Sequence, residues 1–243
     1  MVARPHRPAF YAVGGGRLGD AITLLHPPYT LWHLSYFAIG VALSPHVYVN
    51  RLLWGLAAFA LAVGVCAHAL DELHGRPLQT RFSDRGLWLA AIGSAAAAIG
   101  IGIAGVVTVS VWLAPLVAVG AFLLPAYNLE LASGRFHSDM WFAAGWGAFP
   151  AFTGYFVCAL RIDATGLLVA GGCMAMSVAQ RRLSAAARDL RRRTVSVEGV
   201  RRLADGSAEP LTLPRLLGPL DGALAALSLT AVLLAAALLA ARL

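Results

Sequence analysis

Two imidazoles, two carboxylates and a guanidinium end a long apolar stretch at Cys66-Ala-His-Ala-Leu-Asp-Glu-Leu-His-Gly-Arg-Pro77. On a helix, His68, Asp71 and Glu72 fall at i, i+3 and i+4 and share one face. Imidazole together with carboxylate suits zinc, iron or manganese, whereas carboxylate with retained water suits magnesium. Gly75 and Pro77 stop the helix, so Arg76 emerges where its planar fork can grip a phosphate. Charge at membrane depth is costly and usually faces a bundle interior or a wet cavity. The bland alternative is a helix end carrying ordinary solvated charge, and it weighs most on Glu72 and His74.

A second polar cluster holds Tyr127, Asn128, Glu130, Arg135, His137 and Asp139. Ser138 and Asp139 stand where N-caps belong, so capping alone would account for Asp139. Glu130 ends an apolar run with no partner nearby in sequence, which makes it a candidate ligand or base. His33 lies in the first apolar segment with Tyr29 and Tyr36 on its side. It reads either as a hydrogen-bonded core residue or as part of a binding site. The sequence has no Walker loop, dinucleotide fingerprint, Cys-x-x-Cys pair or nucleophile elbow, and Gly14-Gly-Gly16 lacks the setting of a phosphate loop.

The elements that must position these groups are membrane helices. The chain has 243 residues, 59% hydrophobic and only 13% charged, against roughly 25% charged in soluble domains. A span needs about 20 mainly apolar residues. Seven segments qualify, at roughly 29–48, 51–73, 86–107, 109–127, 140–160, 164–181 and 218–241. Short loops join most of them, so residues 1–243 read as one integral membrane domain. The third segment is rich in Ala and Gly between Ala90 and Gly105, which predicts a place inside the bundle, because small residues let helices approach closely. Cys66, Cys158 and Cys173 lie in apolar segments and read as buried thiols rather than as a disulfide framework. No signal peptide is expected, since the first 25 residues hold no apolar core.

All 19 basic residues are arginines. They flank the apolar segments, which points to orientation and anionic lipid rather than to nucleic acid. With a cytoplasmic N-terminus, the inside loops hold three, three, one and nine of them, 16 of the 19, leaving Arg51, Arg161 and Arg242 outside. The expected protein is therefore a multi-pass cell-membrane protein with its N-terminus inside and its C-terminus outside. Both polar clusters then open on the cytoplasmic face. Residues 182–217 form a cytoplasmic loop. A basic helix starts it, and alternation around Asp205-Gly206 predicts a small β-hairpin.

Three stretches in order resemble the UbiA-type membrane prenyltransferase superfamily. Leu25-His-Pro-Pro-Tyr-Thr-Leu is similar to the start of that family's first helix. Ala67 to Leu78 stands where the family has its first Asp-rich motif. Asp205-Gly-Ser-Ala-Glu-Pro-Leu-Thr-Leu-Pro-Arg-Leu-Leu-Gly218 resembles the second motif and the Thr-Leu-Pro that follows it. Tyr127 and Gly154-Tyr155 fit loosely. In the family, Asp-rich motifs bind magnesium that holds an isoprenyl diphosphate. Asp71 matches an aspartate of the first motif, while His68 and Gly75 replace others. Asp205 matches in the second, with Arg201 at its partner position. The family usually has nine helices.

The expected fold is thus all-α, a UbiA-like bundle of about seven transmembrane helices with a cytoplasmic helix and hairpin insertion. The resemblance implies an enzyme that transfers or cyclises the prenyl group of an isoprenyl or other lipid diphosphate. Asp71, Glu72 and Asp205 would bind Mg2+; His68, Asp71 and Glu130 would be catalytic. Arg76, Arg135, Tyr127, Asn128 and His33 would bind substrate. Two alternatives stay open: a membrane His/carboxylate metalloenzyme using iron or zinc on lipid, and a non-enzymatic lipid-binding protein. The partners expected are membrane lipids and a lipid diphosphate, not nucleic acid.

Overall fold

The computed structural model describes residues 9–13 and 16–243; Arg4, Arg7, Gly14 and Gly15 lie outside them. The chain is 74% helical. In order, the helices are α1 (Arg17–Leu24), α2 (Pro27–Leu43), α3 (Val49–Leu73), α4 (Asp84–Thr108), α5 (Val111–Asn128), α6 (139–159), α7 (Ala164–Arg193) and α8 (Leu213–Ala240). Between α7 and α8, β1 (Val200–Arg202) pairs antiparallel with β2 (Ala208–Pro210), with Arg201 opposite Glu209.

Among the described residues, four helices are long and apolar enough to cross a membrane: α3, α4, α5 and α8. Seven were expected. The other three expected segments are helical too, with compositions that differ in a physical way. α2 has 17 residues. α6 is rich in glycine and aromatic side chains. α7 runs for 30 residues and turns from apolar to arginine-rich along its length.

The core is built around α2, which packs against α6, α8, α7 and α3. Trp32 and Tyr36 are completely buried there, and Phe37 is nearly so. The α2–α6 contact is backbone to backbone. A Cβ added at Gly40 would lie 2.0 Å from the Ala151 carbonyl oxygen, and one at Gly154 would lie 2.1 Å from that of Phe37. Glycine at both positions is what lets these helices touch.

α4 corrects the sequence expectation. It packs on α3 and α5, and only 11% of its apolar window is buried, against 33% for α3. Its small residues do not admit a neighbouring backbone. Instead they leave a groove against α3 and α5.

Two π-helical segments interrupt the core helices, Ala60–Ala67 in α3 and Ala144–Ala148 in α6. Such segments are rare and gather at functional sites. Val63 and Ala67 of the first pack with Trp146 of the second and with Tyr127. The three cysteines are free and buried.

Candidate functional site

The π segment of α3 delivers His68 to a cavity of about 360 Å3 at the end of the bundle where α3 and α5 finish and α2 and α6 begin. His33, His68, Asp71, Tyr127, Asn128 and Glu130 all line it. His26, His74, His137, Gln180 and four arginines of α7 line it as well.

Four of these imidazoles are oriented in the same way. The Nδ1 atoms of His26, His33, His68 and His137 lie 2.8, 2.8, 3.2 and 3.1 Å from the backbone oxygens of Leu24, Trp146, Gly64 and Tyr127. A carbonyl only accepts, so in each neutral ring Nδ1 donates and Nε2 keeps its lone pair. The rings of His26 and His68 stack, with centroids 4.0 Å apart. His26 holds a left-handed backbone, φ 45°, just before the Pro27-Pro28 start of α2. Burial pushes its imidazole below its ordinary pKa. The Asp71 carboxylate beside this pair has no hydrogen-bond or ion-pair partner among the described residues.

The wall facing α5 is aromatic. Tyr127 stacks on His137 at 4.5 Å and meets Trp146 at 4.5 Å, and Phe142 lies parallel to Trp146 at 5.8 Å. Asn128 donates from Nδ2 to Leu124 O in its own helix. Glu130, at φ 50° in a tightly wound loop, sits 3.9 Å from His74 and 3.8 Å from His137. Both contacts are partly exposed, so neither is strong.

Several expected site residues lie elsewhere. Glu72 is fully buried and accepts hydrogen bonds from Leu78 N, Thr80 N and Thr80 Oγ1 at 2.8–2.9 Å. Both of its oxygens are thereby engaged in holding the α3–α4 loop. Arg76 donates to Phe82 O at 2.6 Å and pairs with Asp84, stapling the same loop. Arg135 is exposed. Asp205 sits in the hairpin turn, where its carboxylate accepts from Ser207 N at 2.9 Å. Those bonds hold its carboxyl pKa below the ordinary carboxylate value. The expected magnesium set of Asp71, Glu72 and Asp205 is therefore not assembled. Among the described residues no three His, Cys, Asp or Glu side chains are grouped to hold a metal ion. Ser138, not Asp139, caps α6, and Asp139 pairs with Arg181 at 2.9 Å.

The arginines of α7 are what the sequence reading passed over. Arg181, Arg188, Arg191 and Arg192 reach the cavity. Arg181 is held by Asp139, and Arg191 by Asp221 at 2.6 Å. Arg188 contacts Ser184 Oγ at 3.3 Å and has no carboxylate partner among the described residues. Burial, with Arg181 and Arg192 nearby, lowers its affinity for its proton below that of an ordinary guanidinium. Gln180 is 3% exposed, and its Oε1 lacks a hydrogen-bond partner in the described structure. The signal was in the spacing. Residues 181, 184, 188, 191 and 192 repeat at i, i+3, i+7, i+10 and i+11 and form one helix face. Arg182, Asp189 and Arg193 fall on another face and are exposed.

This arrangement can hold an anion. Arg188 and Arg192 have no carboxylate partner among the described residues, and planar guanidinium suits phosphate. The unpaired Nε2 atoms and the Asp71 carboxylate can accept protons beside it. Comparison with family models, with curated proteins and with solved structures finds no match.

Proposed function

We propose that this chain is a multi-pass membrane enzyme, a divergent relative of the UbiA-type prenyltransferases, acting on an isoprenyl or other lipid diphosphate. One observation carries the reading: Arg188, short of a carboxylate, lies in a cavity lined by Asp71 and four proton-accepting imidazoles. Arg188 and Arg192 bind the phosphate head, with Arg181 alongside and Gln180 adding a polar contact. Loss of the head leaves positive charge on the chain. Tyr127, Phe142 and Trp146 present ring faces that stabilise such charge and keep water away. Asp71 or His68 takes the proton released when an acceptor or an internal double bond captures the cation.

The family's magnesium chemistry is not part of this reading, because Glu72 and Asp205 are engaged elsewhere. The seven-span arrangement, with the cavity on the cytoplasmic side, belongs to the same proposal. It is supported by the helical state of all seven segments and by the arginine count.

Binding of a radiolabelled isoprenyl diphosphate to protein in nanodiscs tests the reading. Asp71→Asn is expected to weaken turnover or binding far more than Asp189→Asn, since Asp189 is exposed and paired with Arg193 along the helix. Equal effects of the two changes would refute it. One further reading rests on the residue types alone, a membrane His/carboxylate enzyme using iron or zinc; among the described residues no three such side chains are grouped to hold the ion. Stoichiometric iron or zinc in purified protein would transfer the assignment to that class.

A further inference from the structure

The short helix α1 turns its apolar side outward. Leu18, Ile22 and Leu25 fall at i, i+4 and i+7 and share one face. All three are exposed, Leu18 by 75%. Gly19, Thr23 and Leu24 form the inward side. Leu24 joins Leu70, Leu78, Leu87 and Ala91 in one cluster where α3 passes into α4. Arginines stand beside the outward face. Arg17, Arg81 and Arg85 are exposed. Arg81 donates its backbone N–H to Asp20 of α1 at 3.0 Å, and its Nε lies 3.9 Å from the same oxygen. A Cβ added at Gly16 would lie 3.7 Å from Arg81 Nη1. Trp88, next to buried Leu87 in α4, is exposed. A tryptophan in the first turns of a membrane helix marks the headgroup level, and Leu24 places α1 in the same cluster as Leu87. The helix is also tied to a wall of the polar cavity. Ala9, Phe10 and Tyr11 line that cavity, with the Tyr11 ring 5.3 Å from His26 and 5.6 Å from Tyr29. Val13 N, just beyond them, donates to Thr23 Oγ1 of α1 at 2.9 Å.

We infer that α1 docks in the headgroup layer of an anionic lipid surface and thereby holds the strap of residues 9–13 against the polar cavity. Apolar side chains at the acyl boundary and arginines at the headgroups are the two halves of an interfacial helix. Leu18 and Ile22 bury their area in lipid, while Arg17, Arg81 and Arg85 meet lipid phosphates. A symmetric contact with a second copy of this chain would bring the same arginines together, like charge against like charge. Lipid phosphate supplies the opposite charge instead. Thr23 belongs to α1 and Val13 to the strap, so seating the helix fixes the strap and unseating it frees Tyr11. The docking is independent of what the cavity binds.

The test uses the full chain, one copy per nanodisc, in phosphatidylcholine alone or mixed with phosphatidylglycerol. A nitroxide is attached at Leu18→Cys, with a second protein labelled at Asp205→Cys in the hairpin turn as the aqueous reference; the native cysteines are buried. The Leu18 label is expected to be relaxed by oxygen and shielded from a water-soluble nickel chelate, and more so with phosphatidylglycerol present. The Asp205 label is expected to show the reverse. A Leu18 label as open to nickel as the reference, or shielding that ignores the anionic lipid, overturns the docking. Shielding found only in discs with two copies, with dipolar broadening between labels, assigns the face to a second copy and overturns it too. The strap is read by the rate at which a membrane-impermeant maleimide modifies Tyr11→Cys. Adding Ile22→Glu, which sets a charge against anionic lipid, is expected to raise that rate at least about tenfold, the scale of losing one aliphatic side chain's burial. Leu18→Glu, at the most exposed position of the face, repeats the measurement should the first variant fold poorly. A Tyr11→Cys thiol that reacts at the same rate with and without either glutamate overturns the hold on the strap.

Discussion

Glu72 on the last turn of α3 and Arg188 near the end of α7 both stand in dense runs of polar residues, and they are used in opposite ways. Glu72 is fully buried, and its two oxygens are engaged by the backbone and side chain of residues 78–80. Arg188 has one hydroxyl contact and a cavity in front of it. The α3 end divides between neighbours, with Asp71 facing the cavity and Glu72 facing the loop. The α7 end divides by helix face, with Arg188 and Arg192 toward the cavity and Arg182 and Arg193 toward solvent. A polar side chain is available for chemistry when the fold leaves its hydrogen-bonding groups unspent, whatever the local density of charge.

The sharpest test of this contrast is stability at Glu72. Glu72→Ala strips three buried donors of their acceptor, and the expected loss is about 3 kcal/mol, read as a lower unfolding temperature in detergent. Asp71→Asn should leave that temperature nearly unchanged. If both variants destabilise alike, the division between structural and available carboxylates fails.

Next in size is anion binding at α7. Arg188→Gln is expected to weaken isoprenyl diphosphate binding by at least about tenfold, from loss of a charge-assisted hydrogen bond. Arg182→Gln on the exposed face should change it little. Equal losses in an equilibrium binding assay would mean that diffuse positive charge, not one helix face, holds the ligand.

Arg76 sharpens the other side. Its pair with Asp84 is 33% and 74% exposed on the two side chains. Arg76→Gln should therefore cost under about 1 kcal/mol of stability and leave diphosphate binding intact. A large binding loss would return Arg76 to the site, where sequence alone had put it.

The smallest effect expected is with pH. Burial lowers the His26 pKa below its ordinary 6.5, so the unfolded chain binds this proton more readily than the folded one. Stability from neutral His26 is complete above about pH 6.5 and is lost as pH falls toward the lowered folded value. Thermal unfolding between pH 7.5 and 5 should show this decline, and His26→Gln should flatten it. The neighbours that modulate it are Asp71, Arg192 and Glu72.

Composition and period alone establish the predominantly helical, apolar character of the chain, because a backbone buried among apolar side chains has to satisfy its own hydrogen bonds. The polar ends of the apolar runs were equally legible, and His68, Asp71 and Glu130 do line one cavity. Adjacent residues such as Asp71 and Glu72 cannot be told apart in this way. Which of them meets the 78–80 loop depends on where that loop returns, a tertiary matter. The arginine face of α7 was present as a spacing, but its meaning depended on α7 lining the same cavity as the ends of α3 and α5. The Ala and Gly of α4 show the same limit. Small residues permit close approach and equally permit a hollow, and only the positions of α3 and α5 decide which of the two they make.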